Sequence, residues 1–176
     1  MIMPTIRQLA PDDAAAYHAL RLRMLRDHPE AFVSSFGEVV AKPLTWAQER
    51  LAPSTGAPEK FVLGAFGVAN ALIGSVGLAV EQRLKERHKG FVFGMFVAPE
   101  AGKAGVGRAL LAECIARARH VPGLELLTLT VTSSNLRALR FYEAAGSRAF
   151  GIEERAIKVA GRYCPKAHMT LDLRAR

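Results

Sequence analysis

Long apolar runs are missing from this chain. Stretches such as Ala71–Val80 are of strand length and carry Gly and Ser, which is too short for a membrane-spanning helix. The start, Met1-Ile-Met-Pro, lacks a basic segment followed by an apolar core, so no secretory leader is visible there. Cysteine is scarce. Cys114 and Cys164 stand far apart in unlike contexts, which argues against a disulfide framework and points to a reduced, cytoplasmic protein. No His, Cys, Asp or Glu cluster has metal-ligand spacing, so no metal is expected. Repeats and low-complexity tracts are absent as well.

Carboxylates are in deficit. Lys and Arg number 24 against 16 Asp and Glu, a formal net charge of +8. Such a balance implies an anionic partner: nucleic acid, an acidic surface or a phosphorylated small molecule. Charge alone does not choose among them. The remaining composition, half hydrophobic and 23% charged, is that of a soluble globular protein. A chain of 176 residues is long enough for one domain with its own core, spanning 1–176.

Periodicity gives the elements. Thr5–Leu9 reads as a strand, and Asp12 and Asp13 open a helix to about Asp27 with Tyr17, Leu20, Met24 and Leu25 on its apolar face. A looser segment, Glu30–Lys42, precedes a short helix after Pro43, where Thr45 and Gln48 have capping-box spacing. Strand patterns follow at Lys60–Phe66, Leu72–Val80 and Phe91–Val97, the last two separated by the basic stretch Gln82–Lys89. A helix runs from about Arg108 to Arg119, and Leu126–Thr132 is a β-branched strand. Asn135 opens another helix, which Gly146 ends. Strands near Ser147–Ile152, Ala156–Val159 and His168–Leu173 complete the chain. This order is α/β with a mixed sheet.

Two segments carry chemistry. In the first, strand Phe91–Val97 feeds Gly102-Lys-Ala-Gly-Val-Gly107 into a helix beginning near Arg108. Unpaired N–H groups at that helix start, backed by the helix dipole, suit an anion the size of a diphosphate. Gly105 and Gly107 allow close backbone approach, and Lys103 and Arg108 add charge. A P-loop does not fit, because Lys103 is followed by Ala104 and position 97 is Val. A dinucleotide fingerprint does not fit either, because Gly105-x-Gly107 is followed by Leu110 where a third glycine belongs. The second segment is Asn135-x-x-Ala138-x-x-x-Tyr142, which places an amide, a small methyl and a phenol on one helical face.

Together these segments resemble the cofactor-binding core of the GNAT superfamily of N-acetyltransferases. The likeness rests on Val97-x-Pro99, Gly105-x-Gly107 and the Asn135/Ala138/Tyr142/Gly146 helix. It extends more weakly to Ile6-Arg7 with Asp12-Asp13, to His28-Pro29-Glu30, and to Gly161-Arg162-Tyr163 with Met169. One departure is clear: the family usually has Gln or Arg three residues before the first glycine of the pair, and here Gly102 occupies that place.

The resemblance implies a mixed, mostly antiparallel central sheet of about seven strands with about four helices on both faces. It implies transfer of an acetyl group from acetyl-CoA, as co-substrate and without a metal, to a primary amine of a small molecule or peptide by direct attack. Cofactor contacts are then expected from Met95, Phe96 and Val97 on the strand, and from Gly102, Lys103, Ala104, Gly105, Val106, Gly107 and Arg108 in the loop and helix start. Asn135, Ala138 and Tyr142 complete the set, with Tyr142 as the acid for the CoA thiolate. The thioester carbonyl would bind backbone N–H groups of the Phe91–Val97 strand. Many relatives carry a Glu in that strand, and this one has none, which leaves Glu81, through water, as the nearest candidate base and His88 as another. A base matters because a lysine-type amine is neutral only about once in 2,500 molecules at pH 7, and an α-amine about once in ten. Phe32, Phe36 and Tyr163 are the aromatics expected around the acceptor, with Trp46 a core residue. A monomer or homodimer without nucleic-acid or membrane partners is expected. Two other readings remain open: a basic nucleic-acid-binding module built on Arg83–Lys89, which has no interleaved aromatics, and an acyl-CoA sensor without turnover.

Overall fold

The computed structural model describes residues 4–53, 59–102 and 104–174. Seven strands form one sheet in the order β1-β2-β3-β4-β5-β7-β6. They are β1 (Thr5–Gln8), β2 (Lys60–Phe66), β3 (Leu72–Val80), β4 (Lys89–Val97), β5 (Leu126–Thr132), β6 (Arg148–Val159) and β7 (Arg162–Asp172). Every pairing is antiparallel except β4 with β5. The α-helices are α1 (Ala14–Asp27), α2 (Phe36–Val40), α3 (Leu44–Leu51), α4 (Val106–Ala118) and α5 (Leu136–Ala144).

The helices take sides by which face of the sheet their apolar stripes cover. Val106, Leu110, Leu111 and Cys114 of α4 pack with Leu63, Val76 and Leu78. Tyr142 and Met169 belong to the same core. The opposite face holds Tyr17 of α1 and Ala47 and Leu51 of α3 against Val62 and Phe66. The α1 stripe also contains a charged residue: Arg21, four residues after Tyr17, is buried with the apolar ones.

Sequence and structure differ locally in several places, among them β7, which starts at Arg162 rather than at His168. The segment expected to be loose contains α2, because Ser35 and Glu38 form a reciprocal capping box. The box read at Thr45 and Gln48 does not form; α3 starts instead from Pro43, without a side-chain cap. The two short strands expected after Gly146 are one strand, β6, whose pairing slips between Glu153 and Ile157. That irregularity breaks the residue alternation and reads in sequence as two pieces.

The feature that creates a site is a split in the sheet. β4 and β5 pair only from Lys89↔Leu126 to Phe91↔Thr128. Beyond Phe91 the two strands part. β4 also carries a bulge there: Ser75 pairs with Phe96 and Gly77 with Phe93, so Gly94 and Met95 together oppose Val76. Gly94 adopts φ +61, open to glycine at little cost. The Ser75 hydroxyl donates to the Gly94 carbonyl at 3.1 Å and fixes the bulge.

Candidate active site

Two cavities open into the split, one of about 860 Å³ and one of about 530 Å³. The larger is walled by the end of β4, the glycine turn, the start of α4 and one face of α5. The smaller lies between β4, β5, α1, α3 and the loop at 31–34. They meet where Ala31, Phe32, Met95, Asn135, Ala138 and Tyr142 belong to both linings.

The larger cavity is built for an extended anionic molecule. Gly105 takes φ +74 and acts as the N-cap of α4, so the first-turn N–H groups are left to face the opening. Gly102, Gly107, Arg108 and Arg137 line the same wall. A Cβ on Gly107 would stand 3.4 Å from Met95 Cε and 3.5 Å from Val97 Cγ2, between β4 and α4, so its absence keeps that strip open to a ligand. The backbone cradle, two guanidinium groups and a narrow apolar channel fit the diphosphate and pantetheine arm of CoA. Cys114 takes no part: it is buried in the core, and burial pushes its thiol up to about 12.

Where the cavities meet, Tyr142 is 8% exposed, with its ring edge against Phe141. Burial, and secondarily Cys114, push its pKa upward, so the phenol holds its proton at all ordinary pH values. Among the described residues its hydroxyl has no hydrogen-bond partner. Asn135 is the N-cap of α5, its side-chain oxygen accepting from the Ala138 N–H at 3.0 Å. That bond spends the amide oxygen inside the helix and leaves the amide NH₂ for a ligand.

The sequence-derived site residues divide by position. Met95, Phe96, Val97, Gly102, Gly105, Gly107, Arg108, Asn135, Ala138 and Tyr142 all line the larger cavity. Phe96 is among them although its side chain packs with Met24 and Leu25. The Val106 side chain is in the core and contributes only its place in the first turn of α4. Ala104 lies in the turn outside the lining, and Lys103 lies outside the described residues. Phe32 lines both cavities; Phe36 and Tyr163 line neither. Phe36 begins α2, and Tyr163 is half-exposed on β7 beneath Arg155 and Lys158. Glu81 lies outside both linings, just past β3, with its N–H bonded to Lys89 O.

Residues that sequence reasoning missed are the cations: Arg137 in the larger cavity, and Arg21, Arg50 and Lys60 in the smaller one. Arg21 had left a signal, because a charged residue at the Tyr17+4 position of an amphipathic helix sits on the buried face. The placement of Arg50 and Lys60 in the smaller cavity comes from tertiary packing alone.

Known proteins share this architecture. Residues 21–146 match the model of the acetyltransferase (GNAT) family. An aminoglycoside N(6')-acetyltransferase type 1 from Stenotrophomonas maltophilia is 33% identical over 159 residues, covering 86% of this chain and 87% of that protein. A GNAT-family acetyltransferase structure from Streptococcus pneumoniae superposes with TM-score 0.83 at 26% identity, over 96% of this chain and 98% of that one. yncA from Salmonella typhimurium, solved with its cofactor acetyl-CoA, shares the fold at TM-score 0.78 and 20% identity, over 98% and 95% of the two chains. By this family match and this degree of identity, carried on a split sheet with a glycine cradle, the chain belongs to the GNAT family and is an acetyltransferase.

Proposed function

We propose that the protein transfers the acetyl group of acetyl-CoA directly to the amine nitrogen of a small molecule. The observation that carries this reading is the junction of the two cavities at Tyr142 and Met95, one shaped for CoA and the other for an acceptor. The glycine turn with Arg108 would hold the diphosphate, and the strip along Val97 and Gly107 the pantetheine arm. Bound CoA supplies an activated thioester; the chain positions it and manages protons.

Three duties fall to the protein. The bulge at Gly94 and Met95 frees backbone N–H groups from the β3–β4 ladder, and these would stabilise negative charge growing on the carbonyl oxygen. Tyr142, kept protonated by burial, would donate its proton to the departing sulfur. The amine must lose a proton, and no Asp, Glu or His is found among the described residues lining the smaller cavity. The cationic wall disfavours an ammonium through like-charge repulsion and so favours the neutral, nucleophilic amine. A water chain would carry the proton out. Glu81 is two residues beyond Ala79, a lining residue of β3, and so roughly 7 Å further along the same strand face. It is the proposed terminus of that chain.

The test is acetyl-CoA-dependent release of free thiol across a panel of amines, with Tyr142→Phe in parallel. Turnover that collapses in the variant while acetyl-CoA binding persists is expected. Unchanged kcat in Tyr142→Phe would remove the tyrosine from the acid role.

A further inference from the structure

The smaller cavity has the wrong charge for a polycation. Arg21, Arg50 and Lys60 line it, and no carboxylate does among the described residues.

Arg21 is the most telling of the three. Its side chain comes from the core-facing stripe of α1, and the residue is 7% exposed. One terminal nitrogen donates to Ser34 Oγ at 3.0 Å, and its Nε, buried, has no partner. A buried guanidinium usually has a carboxylate partner, because an unmatched buried charge costs several kcal/mol. Its neighbours act in both directions: Tyr17 favours the charge, and a second arginine opposes it. Arg50 lies close enough that its charge disfavours that of Arg21, after burial itself, which is the larger cause. The two guanidinium groups share Trp46, at 5.8 and 5.3 Å from its ring centroid. Arg50 also approaches Phe93 at 5.4 Å and donates to the Tyr17 hydroxyl at 3.3 Å. Neither arginine forms an ion pair among the described residues. The same Arg50 charge, after burial, depresses the Lys60 ammonium. Rings and hydroxyls hold the two guanidinium groups in place, and no carboxylate pairs with either among the described residues.

An arginine pair without a carboxylate inside a ligand cavity is completed by an anion. We infer that the acceptor is an amine that also carries an oxyanion, a carboxylate or a phosphate, held by Arg21 and Arg50 while its nitrogen points toward the junction at Tyr142 and Met95. The inference rests on the proposed acetyl transfer and narrows its acceptor class. The cavity volume of about 530 Å³ has ample room for a small zwitterion. The 33%-identical relative is named for aminoglycosides, and those polycations would meet a wall of like charge here.

The experiment has two readouts. First, free-thiol release from acetyl-CoA is followed with the free amino acids, their carboxamides, phosphoethanolamine, spermidine and kanamycin. Oxyanion-bearing amines should exceed their neutral counterparts by about tenfold or more in kcat/KM, as expected for a charge-assisted pair. The amino-acid and phosphoethanolamine arms tell carboxylate from phosphate. Second, the melting temperature of the CoA-loaded protein is titrated with sodium sulfate against sodium chloride at equal ionic strength. Wild type should gain more from sulfate than Arg50→Gln, a milder change than Arg21→Met at the buried position. Preference for carboxamides, spermidine or kanamycin would overturn the inference while leaving acetyl transfer intact. Absence of turnover with every amine would count against the transfer reading; in that case an identical sulfate response in wild type and Arg50→Gln would overturn the oxyanion site too.

Discussion

The Lys166 ammonium donates to the carbonyl oxygen of Ala31 at 2.7 Å, joining strand β7 to the loop that walls both cavities. It also donates to Glu30 O at 3.0 Å and to Thr132 Oγ1 at 3.2 Å, and the Thr132 hydroxyl donates to Glu30 O at 2.7 Å. Lys166 is 3% exposed, and burial depresses its pKa. A buried lysine bonded to neutral oxygens is a structural tie between distant segments, here 135 residues apart. Phe32, next to the tied carbonyl, lines both cavities.

Lys166→Met should therefore loosen the loop and weaken both substrates. The Ala31 carbonyl and the Thr132 hydroxyl would lose this donor, while Glu30 O keeps the bond from Thr132, at about 1–3 kcal/mol of stability. Thermal or urea unfolding measures that loss, and KM should rise for both acetyl-CoA and amine. A variant with wild-type stability and KM values would contradict the role.

The two glycines of the cradle should fail in different ways. Gly105 holds φ +74, and a Cβ there meets nothing within 4 Å, so Gly105→Ala suffers backbone strain alone, about 1–2 kcal/mol. Gly107 sits in the first turn of α4 with room for a methyl at ordinary contact distances. Gly107→Ala should keep or slightly raise stability, by up to about 1 kcal/mol. Its methyl intrudes on the strip proposed for the pantetheine arm, so acetyl-CoA affinity should fall about tenfold. Calorimetric titration and melting temperatures on both variants check the contrast.

Tyr142→Phe should lower kcat by about 100-fold or more, the usual contribution of a general acid. Acetyl-CoA affinity should change little, because the ring and its contact with Phe141 remain. A loss below about threefold would contradict the assignment. Glu81→Gln should shift the acid limb of the kcat/KM–pH profile if the water chain ends there, and an unchanged profile would sever it.

Much of this site was legible in sequence because it depends on local order. A strand, a glycine turn and a helix start are contiguous, and so are Asn135, Ala138 and Tyr142 on one helical turn pair. The bulge at Gly94 was not legible, since it exists only in the register between β3 and β4. Nor was the cationic wall of the smaller cavity. Arg21, Arg50 and Lys60 come from α1, α3 and β2, separated along the chain and brought together by packing on the sheet. Phe36 and Tyr163 show the converse: aromatic character suggested a role, and the α2 capping box and the half-exposed β7 position put both outside the cavities.

Acid should weaken the fold through two paired carboxylates. Arg7 holds Asp13 below its ordinary value, with both guanidinium bonds at 2.7 Å. Arg23, from α1, holds Glu100 down to about 2 with a second bidentate pair. A carboxylate depressed in the folded state stabilises above its unfolded pKa, and that contribution is lost as pH falls through the folded one. For Glu100 the window runs from 4.5 down to about 2. Glu100→Gln should therefore lose less stability than wild type on acidification across that window. The difference should shrink in about 0.5 M salt, because the pair is exposed.

The most direct measurement is calorimetric titration of the purified protein with acetyl-CoA, paired with melting temperature at saturation. One site per chain is predicted. At a ligand concentration about 100 times Kd, binding adds about 2.7 kcal/mol, a rise of roughly 5–10 °C for a chain of this size. No heat of binding and no shift in melting temperature with either acetyl-CoA or CoA would contradict the account at its root.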